Sequence, residues 1–183
     1  TAREGHWEKG PGLDLLRVLV SWFPQITYIA EDLGLLTDAV HQLRAAAGLP
    51  GMKVLEFAFD PREPSNYLPH NYDRNCICYT GTHDNETLTG WLHSLSKTEL
   101  SYVKSYTRSR TIEDCVHNVL ALAWGSPADT AIAQIQDFIG LGNEARMNTP
   151  STPSGNWRWR ARKEQMNARL AAKIHSLTKL YWR

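Results

Sequence analysis

The sequence predicts an α/β protein in which short apolar strands alternate with amphipathic helices. Apolar runs rich in β-branched and aromatic residues lie at 25–30, 52–59, 76–80 and 131–136. Stretches whose apolar residues recur every three to four positions lie between and after these runs. Strands that are apolar on both faces and separated by helices are typical of a parallel sheet covered by helices.

The first elements follow one another with clear boundary signals. A helix is predicted over Leu13–Val20, closed by Pro24, and a buried strand over Gln25–Ala30. Thr37 is suited to cap the next helix, over 38–47, and Gly48 to end it. A second strand is expected over Met52–Phe59, followed by a proline-containing loop over 60–75.

The remaining elements are equally well delimited. A third strand is predicted over Cys76–Thr80, and Ser96 and Glu99 form the capping box of a helix that reaches Tyr106. A second helix is expected over 111–124 and a fourth strand over 131–136. A long polar loop leads to a closing helix, whose apolar stripe is formed by Leu170, Ile174, Leu177 and Tyr181.

Composition and charge exclude several classes of function. The chain has 183 residues and a formal net charge of +1, which gives no field to attract nucleic acid. No apolar run approaches the roughly 20 residues that a membrane span needs, so no membrane partner is expected. The three cysteines are interpreted as buried thiols of a cytoplasmic protein. The seven histidines show no metal-ligand spacing, so no metal site is expected.

Carboxylates follow the ends of the predicted strands. Glu31, His83-Asp84 and Gln136-Asp137 stand there, where parallel strands place their active sites. A carboxyl group at the end of an apolar strand favours proton donation, and Asp84 in a polar turn favours the anion. One acid and one anion are what glycoside chemistry needs. The alternatives are structural: Glu31 caps backbone amides, Asp84 forms an Asx turn, and His83 packs.

Two architectures fit these observations, an open doubly wound sheet and a stretch of a (β/α)₈ barrel. No glycine-rich phosphate loop follows a strand, which disfavours nucleotide binding, and no G-x-S-x-G motif indicates a serine hydrolase. Aromatic residues near the polar loops favour a carbohydrate ligand, although each could equally be a packing residue: Tyr67, Tyr72, Trp91, Trp157 and Trp159.

Several motifs then resemble those of the 4-α-glucanotransferases of glycoside hydrolase family 77, also called amylomaltases or disproportionating enzymes. The resemblance covers essentially the whole chain. It rests on Ala30-Glu31-Asp32-Leu33-Gly34, on the segment from Leu49 to Phe59, on Tyr67 to Tyr72, on Tyr79 to Asn85, on Leu141 to Asn148 and on Gly155 to Arg160. The opening segment from Gly5 to Gly12 also fits.

The resemblance implies a function and a set of site residues. Glu31 would be the general acid/base and Asp84 the carboxylate that stabilises the transition state. His83 would contact the sugar, and further residues would line the glucan groove: His70, Asn71, Asn148, Asn156 and Trp157. The implied reaction is retaining transfer of an α-1,4-glucan segment to the 4-hydroxyl of glucose or a glucan, without a cofactor. The expected partners are α-1,4-glucans, maltooligosaccharides and a glucose acceptor.

Two departures from the family pattern bear on these expectations. Ser151 stands where relatives usually have Gly, which permits a positive φ. The family's nucleophilic Asp lies in an Arg-Ile-Asp-His-like motif, and the 183 residues contain no such motif. The resemblance therefore implies that residues 1–183 form the C-terminal part of the catalytic domain, about four strand–helix units and half of a (β/α)₈ barrel, without the nucleophile-bearing part.

These departures leave alternatives to a complete enzyme. The isolated chain is expected to be inactive and, with two open sheet edges, to behave poorly in solution. A remnant that binds glucan or another chain without catalysis is the second hypothesis. An unrelated α/β protein with coincidental motifs is the third.

Overall fold

The structure is a computed structural model that describes residues 4–6 and 8–183. The chain divides into two compact units, residues 1–52 and residues 53–183. Helices precede, separate and follow three short strands, and the observed class is α/β with a small parallel sheet.

The first unit contains two helices. Helix α1 spans Leu13–Trp22 and helix α2 spans Asp38–Ala46, close to the predicted ranges. Thr37 is the N-cap residue of α2, but its side chain accepts no capping hydrogen bond. Gly48 follows α2 with φ +67°, the left-handed conformation expected of a glycine after a helix. Neither α1 nor α2 contains a buried residue.

The buried strand predicted over residues 25–30 is wrong. These residues form a turn and an irregular segment, and Ile26 and Ile29 are exposed. A strand requires a ladder of hydrogen bonds to a neighbour. The N–H of Ala30 donates to the carbonyl of Pro50 at 2.9 Å, but the N–H of Met52 donates to the Asp32 side chain instead of to a backbone carbonyl. The apolar composition of residues 25–30 predicts a strand, but no ladder of backbone hydrogen bonds supports one.

Three strands, rather than the four expected, form the described sheet. They are β1 (Gly51–Val54), β2 (Cys76–Tyr79) and β3 (Thr130–Ile132), in the order β1-β2-β3. Strands β2 and β3 are parallel, with Ile77 opposite Thr130. Both β1 and β3 are shorter than predicted, because the chain turns into helical conformations over 55–57 and 135–139.

Helices cover this sheet. The chain forms α3 (Leu88–Ser94), which the sequence did not predict, then α4 (Lys97–Thr107) and α5 (Ile112–Gly125). Two further helices follow β3, α6 (Ile135–Ile139) and α7 (Ala168–Leu180). The capping box of Ser96 and Glu99 is present at α4, and Thr111 and Asp114 form a second one at α5.

The core of the second unit lies between the sheet and α3 to α5. Its fully buried side chains include Leu55, Leu88, Leu92, Val103 and Val119. The apolar face predicted for α5 is confirmed, since Val116, Val119, Leu120 and Ala123 are all buried. The side chains of Cys76, Cys78 and Cys115 are buried as well. This core holds the ends of β1, β2 and β3 in place. The candidate site residues of the second unit lie near these strand ends.

Candidate active site

The turn after β2 presents His83 and Asp84 to solvent. The N–H and hydroxyl groups of Thr82 both donate to Oδ1 of Asn85, at 2.9 and 2.8 Å. The N–H of Asp84 donates to the Thr82 hydroxyl at 3.3 Å. Asn85, and not Asp84, therefore closes the turn, which leaves the carboxylate of Asp84 available for other partners.

The carboxylate of Asp84 has two side-chain neighbours. Nδ2 of Asn148 donates to its Oδ1 at 2.6 Å, and Nε2 of His83 lies 3.3 Å from the same oxygen. The Asp84 side chain keeps 49% of its accessible surface. A half-exposed carboxylate beside polar donors is suited to face a ligand that carries hydroxyl groups and positive charge.

Trp157 lies against His83. The centroids of the two rings are 5.1 Å apart with an interplanar angle of 38°. The indole is exposed although its backbone has φ +61°, a conformation that is unusual for a bulky residue. The N–H of Trp157 donates to the carbonyl of Met147 at 2.7 Å, which stabilises this conformation. The two tilted rings form an aromatic surface beside Asp84.

Asn156 supports the same loop. Its Oδ1 accepts from the N–H of Thr149 at 2.9 Å, and its Nδ2 donates to the hydroxyl of Thr152 at 3.0 Å. Ser151, in the segment that these bonds enclose, has φ +65°. Ser151 therefore adopts a left-handed conformation, at the steric cost that a side chain adds there.

Arg146 joins the loop to the turn after β2. Its Nη2 donates to the carbonyl of Asp84 at 2.7 Å, and its Nε donates to the carbonyl of Asn148 at 2.8 Å. The N–H of Asn148 also donates to the carbonyl of His83, at 3.1 Å. Sequence reasoning missed this role, although Arg146 stands within a motif that resembles the family pattern.

Glu56 lies buried behind the same turn. Its Oε1 has no hydrogen-bond partner among the described residues. Burial, followed by the charge of Asp137, raises the pKa of Glu56 to about 9, although Asn85 and Arg146 favour the charged form. The carboxyl group is therefore neutral near pH 7. In the sequence, Glu56 is a lone carboxylate inside the apolar run over 52–59.

Asp137, predicted at the edge of the site, is fully buried. Its Oδ2 accepts from the Thr80 hydroxyl and its Oδ1 from the N–H of Leu88, both at 2.8 Å. Burial raises the pKa of Asp137 to about 6, while these two hydrogen bonds act in the opposite direction. The side chain thus ties the end of β2 to the start of α3.

Glu31 belongs to the first unit, where it is exposed. The expectation that it ends a buried apolar strand is therefore wrong. The neighbouring Asp32 is held firmly: its Oδ1 accepts from the N–H of Met52 at 2.7 Å, and its Oδ2 lies 3.1 Å from Nε of Arg44. Glu31 is thus exposed to solvent beside an anchored Asp.

His70 and Asn71 bond to other parts of the second unit. Nδ1 of His70 lies 2.9 Å from the hydroxyl of Tyr106, and Nδ2 of Asn71 donates to the carbonyl of Ser65 at 3.0 Å. The described hydrogen bonds thus connect His70 to α4 and Asn71 to its own loop. They do not join either residue to the group formed by His83, Asp84, Asn148 and Trp157.

The described part of the chain holds neither a cluster suited to a metal ion nor a helix suited to a membrane. No group of three or more His, Cys, Asp or Glu side chains there is placed to hold a metal ion. None of the helices in residues 4–6 and 8–183 is long and apolar enough to cross a membrane.

Solved structures resemble this chain. It superimposes with a TM-score of 0.92 on an amylomaltase from Streptococcus agalactiae in complex with acarbose, at 36% identity, over 100% of this chain and 37% of the other. An amylomaltase from Corynebacterium glutamicum shares the fold, with a TM-score of 0.55 at 17% identity, over 72% of this chain and 24% of the other.

Curated 4-alpha-glucanotransferases are also similar to this chain. The chain is 44% identical to a 4-alpha-glucanotransferase of Clostridium butyricum, over 100% of this chain and 38% of that protein. It is also 44% identical to one of Aquifex aeolicus, over 90% of this chain and 34% of that protein. The chain thus spans little more than a third of their length. The family model described as 4-alpha-glucanotransferase matches residues 1–166, so the chain belongs to glycoside hydrolase family 77, the 4-α-glucanotransferases.

Proposed function

We propose that the protein to which this chain belongs is a 4-α-glucanotransferase, which moves an α-1,4-glucan segment to the 4-hydroxyl of glucose or another glucan. The observation that carries the proposal is the half-exposed carboxylate of Asp84, held by Asn148 beside the rings of His83 and Trp157. Family membership supports the reaction class. Maltooligosaccharides are the proposed donors and acceptors.

Asp84 and the neighbouring rings suit the proposed transition state. Cleavage of a glycosidic bond passes through an oxocarbenium-like state, which a fixed negative charge stabilises. Asp84 supplies that charge at the surface of the turn. The indole of Trp157 offers a flat face to the C–H groups of a sugar ring, and His83 offers a ring nitrogen to a hydroxyl group. Asn148 and Asn156 order the loop that carries Trp157.

We assign proton transfer to Glu31. In a retaining reaction, one carboxyl group protonates the leaving oxygen and then, as a base, activates the acceptor hydroxyl. Glu31 is exposed, as a group that exchanges protons with substrate must be. His70 and Asn71 are proposed to contact more distant sugar units, which is consistent with their exposure.

The rest of the enzyme is proposed to lie outside the 183 residues. We propose that residues 1–183 are the C-terminal part of a (β/α)₈ barrel that typically needs about 250 residues. Support comes from the short parallel sheet and from the absence of an Arg-Ile-Asp-His-like motif in this sequence. In a longer reading frame, upstream codons should encode that motif. An extension that lies only downstream of Arg183 would overturn the placement.

We also propose a cytoplasmic location. Cys78 and Cys115 are buried cysteines that form no disulfide, which suits a reducing compartment. Maltooligosaccharide metabolism would then take place in the same compartment as the enzyme.

The proposed function is tested by assaying the longer protein with maltotriose. The wild type should release glucose and form a ladder of longer maltooligosaccharides. Asp84→Asn, which removes the charge and keeps the shape, should lower kcat by at least about 10²-fold, a loss typical for removal of one transition-state contact. Asp129→Asn is the matched control, because Asp129 is exposed and pairs with Arg74. A ladder from Asp84→Asn at the wild-type rate would contradict the proposal.

A further inference from the structure

We infer that Arg146 is a positioning residue of the glucanotransferase site, which holds the Asp84 turn and the Asn148 loop in one fixed geometry. The inference rests on the proposed function, because it concerns how the transition-state carboxylate of that reaction is oriented.

Arg146 bonds to both segments with separate nitrogens of one guanidinium. Nη2 donates to the carbonyl of Asp84 at 2.7 Å and Nε donates to the carbonyl of Asn148 at 2.8 Å. Hydrogen bonds from a charged donor are about twice as strong as neutral ones. The two acceptors belong to residues 64 positions apart in the chain, so the guanidinium joins two distant segments.

The side chains of Asp84 and Asn148, whose backbone carbonyls Arg146 binds, also contact each other directly. Nδ2 of Asn148 donates to Oδ1 of Asp84 at 2.6 Å, and the N–H of Asn148 donates to the carbonyl of His83. Arg146 bonds to the backbone of Asp84 and of Asn148, and so it sets the distance at which the two side chains meet. Without it, the turn and the loop keep the hydrogen bonds of Asn148 and the ring contact between His83 and Trp157.

The planar guanidinium is needed for this role. Its N–H groups point in fixed and different directions, so two carbonyls can be bound at once. The ammonium of a lysine is a single point at the end of a flexible stem, and it reaches one of these carbonyls at a time. A lysine at position 146 should therefore restore the charge and only part of the positioning.

Misplaced catalytic groups lower the chemical rate more than they weaken ground-state binding. A displacement of about 1 Å can cost about 10²-fold in rate. Because Arg146 acts on the orientation of Asp84 through its backbone, its loss should lower kcat and leave the KM for maltotriose nearly unchanged. A purely structural role would instead lower the melting temperature and the amount of active enzyme.

The test uses the longer, complete protein with Arg146→Ala and Arg146→Lys, and with Arg169→Ala as the control. Arg169 is exposed on α7. For Arg146→Ala we expect kcat to fall about 10²-fold, KM to change less than about threefold, and millimolar guanidinium to restore part of kcat. Arg146→Lys should fall between Ala and wild type. Arg169→Ala should match the wild type, with and without guanidinium.

The outcomes separate this inference from the proposed function. An inactive wild type would overturn the proposed function, and the inference with it. An active wild type whose Arg146 variants keep the wild-type kcat would overturn the inference alone. A lower kcat in Arg146→Ala that disappears after normalisation to folded protein, with no response to guanidinium, would also overturn it. If Arg146→Ala does not fold, the kcat and KM of Arg146→Lys decide the question.

Discussion

The side-chain amide of Asn148 donates to the carboxylate of Asp84 at 2.6 Å, across 64 positions of the chain. Asp84 stands on the turn after β2 and Asn148 on the long loop after α6. The contact shows that the loop over residues 140–159 folds back onto the end of the sheet. The candidate site in the second unit is thus built from two segments, and its geometry depends on how they are held together.

Gly81 should not tolerate a side chain. A Cβ atom there would lie 2.6 Å from Oε1 of Glu56 and 3.1 Å from Cβ of Asn85. Oε1 of Glu56 is enclosed, so the Glu56 side chain cannot move aside easily. We expect Gly81→Ala to lower the free energy of unfolding by about 1–3 kcal/mol, measured by chemical denaturation.

Gly10→Ala is the matched control for this change, because a Cβ atom at Gly10 meets nothing within 4 Å. It should leave the free energy of unfolding within about 0.5 kcal/mol of the wild type. The double variant Glu56→Ala with Gly81→Ala should destabilise less than the sum of the two single changes. Strict additivity would show that the close approach of Gly81 to Glu56 is not the cause.

The buried carboxyl group of Glu56 should make stability depend on pH. Burial and the charge of Asp137 raise the pKa of Glu56 from 4.5 to about 9 in the folded protein. Between these values the folded state keeps a proton that the unfolded state releases. The stabilising contribution is complete below pH 4.5 and is lost as the pH rises through 9, by up to about 1.4 kcal/mol per pH unit.

Glu56→Gln should remove this dependence, since the amide is neutral at every pH. We therefore expect the free energy of unfolding of Glu56→Gln, relative to wild type, to increase from pH 5 to pH 9 in urea titrations. Glu63→Gln, at an exposed position in the loop over 60–75, should follow the wild type at every pH. A pH-independent difference between Glu56→Gln and wild type would contradict the assigned burial.

Local signals in the sequence predicted most helices and the order of the elements. The Ser96 capping box, the stripe on α5 and Gly48 after α2 each act within a few residues, so they can be recognised without a fold. The strand over 25–30 was wrong because pairing depends on distant neighbours. Helix α3 was missed because its seven residues lack a clear apolar period.

The candidate site likewise contains residues that the sequence predicted and residues whose roles only the structure reveals. His83 and Asp84 were found because they follow a strand, and Asn148 and Trp157 because of the resemblance to the family. The structure brings these four together. The roles of Arg146 and Glu56 could not be predicted, because they depend on long-range hydrogen bonds and on burial.

The 183 residues alone are predicted to be inactive in glucan transfer. They contain no Arg-Ile-Asp-His-like motif, and without a nucleophile no glycosyl-enzyme can form. The measurement is glucose release from maltotriose by the purified 183-residue chain, with the longer protein as the positive control. Transfer at a rate comparable to that of the longer protein would show that the nucleophile lies within these residues.

Glu31 is the proposed acid/base of the glucanotransferase to which this chain belongs. The most direct measurement compares wild type and Glu31→Gln in the longer protein, with maltotriose and with α-maltosyl fluoride as donors. Fluoride leaves without protonation, so Glu31→Gln should lose at least about 10²-fold in glucose release from maltotriose but keep a burst of fluoride release. Equal rates of glucose release from maltotriose by the two proteins would contradict the claim.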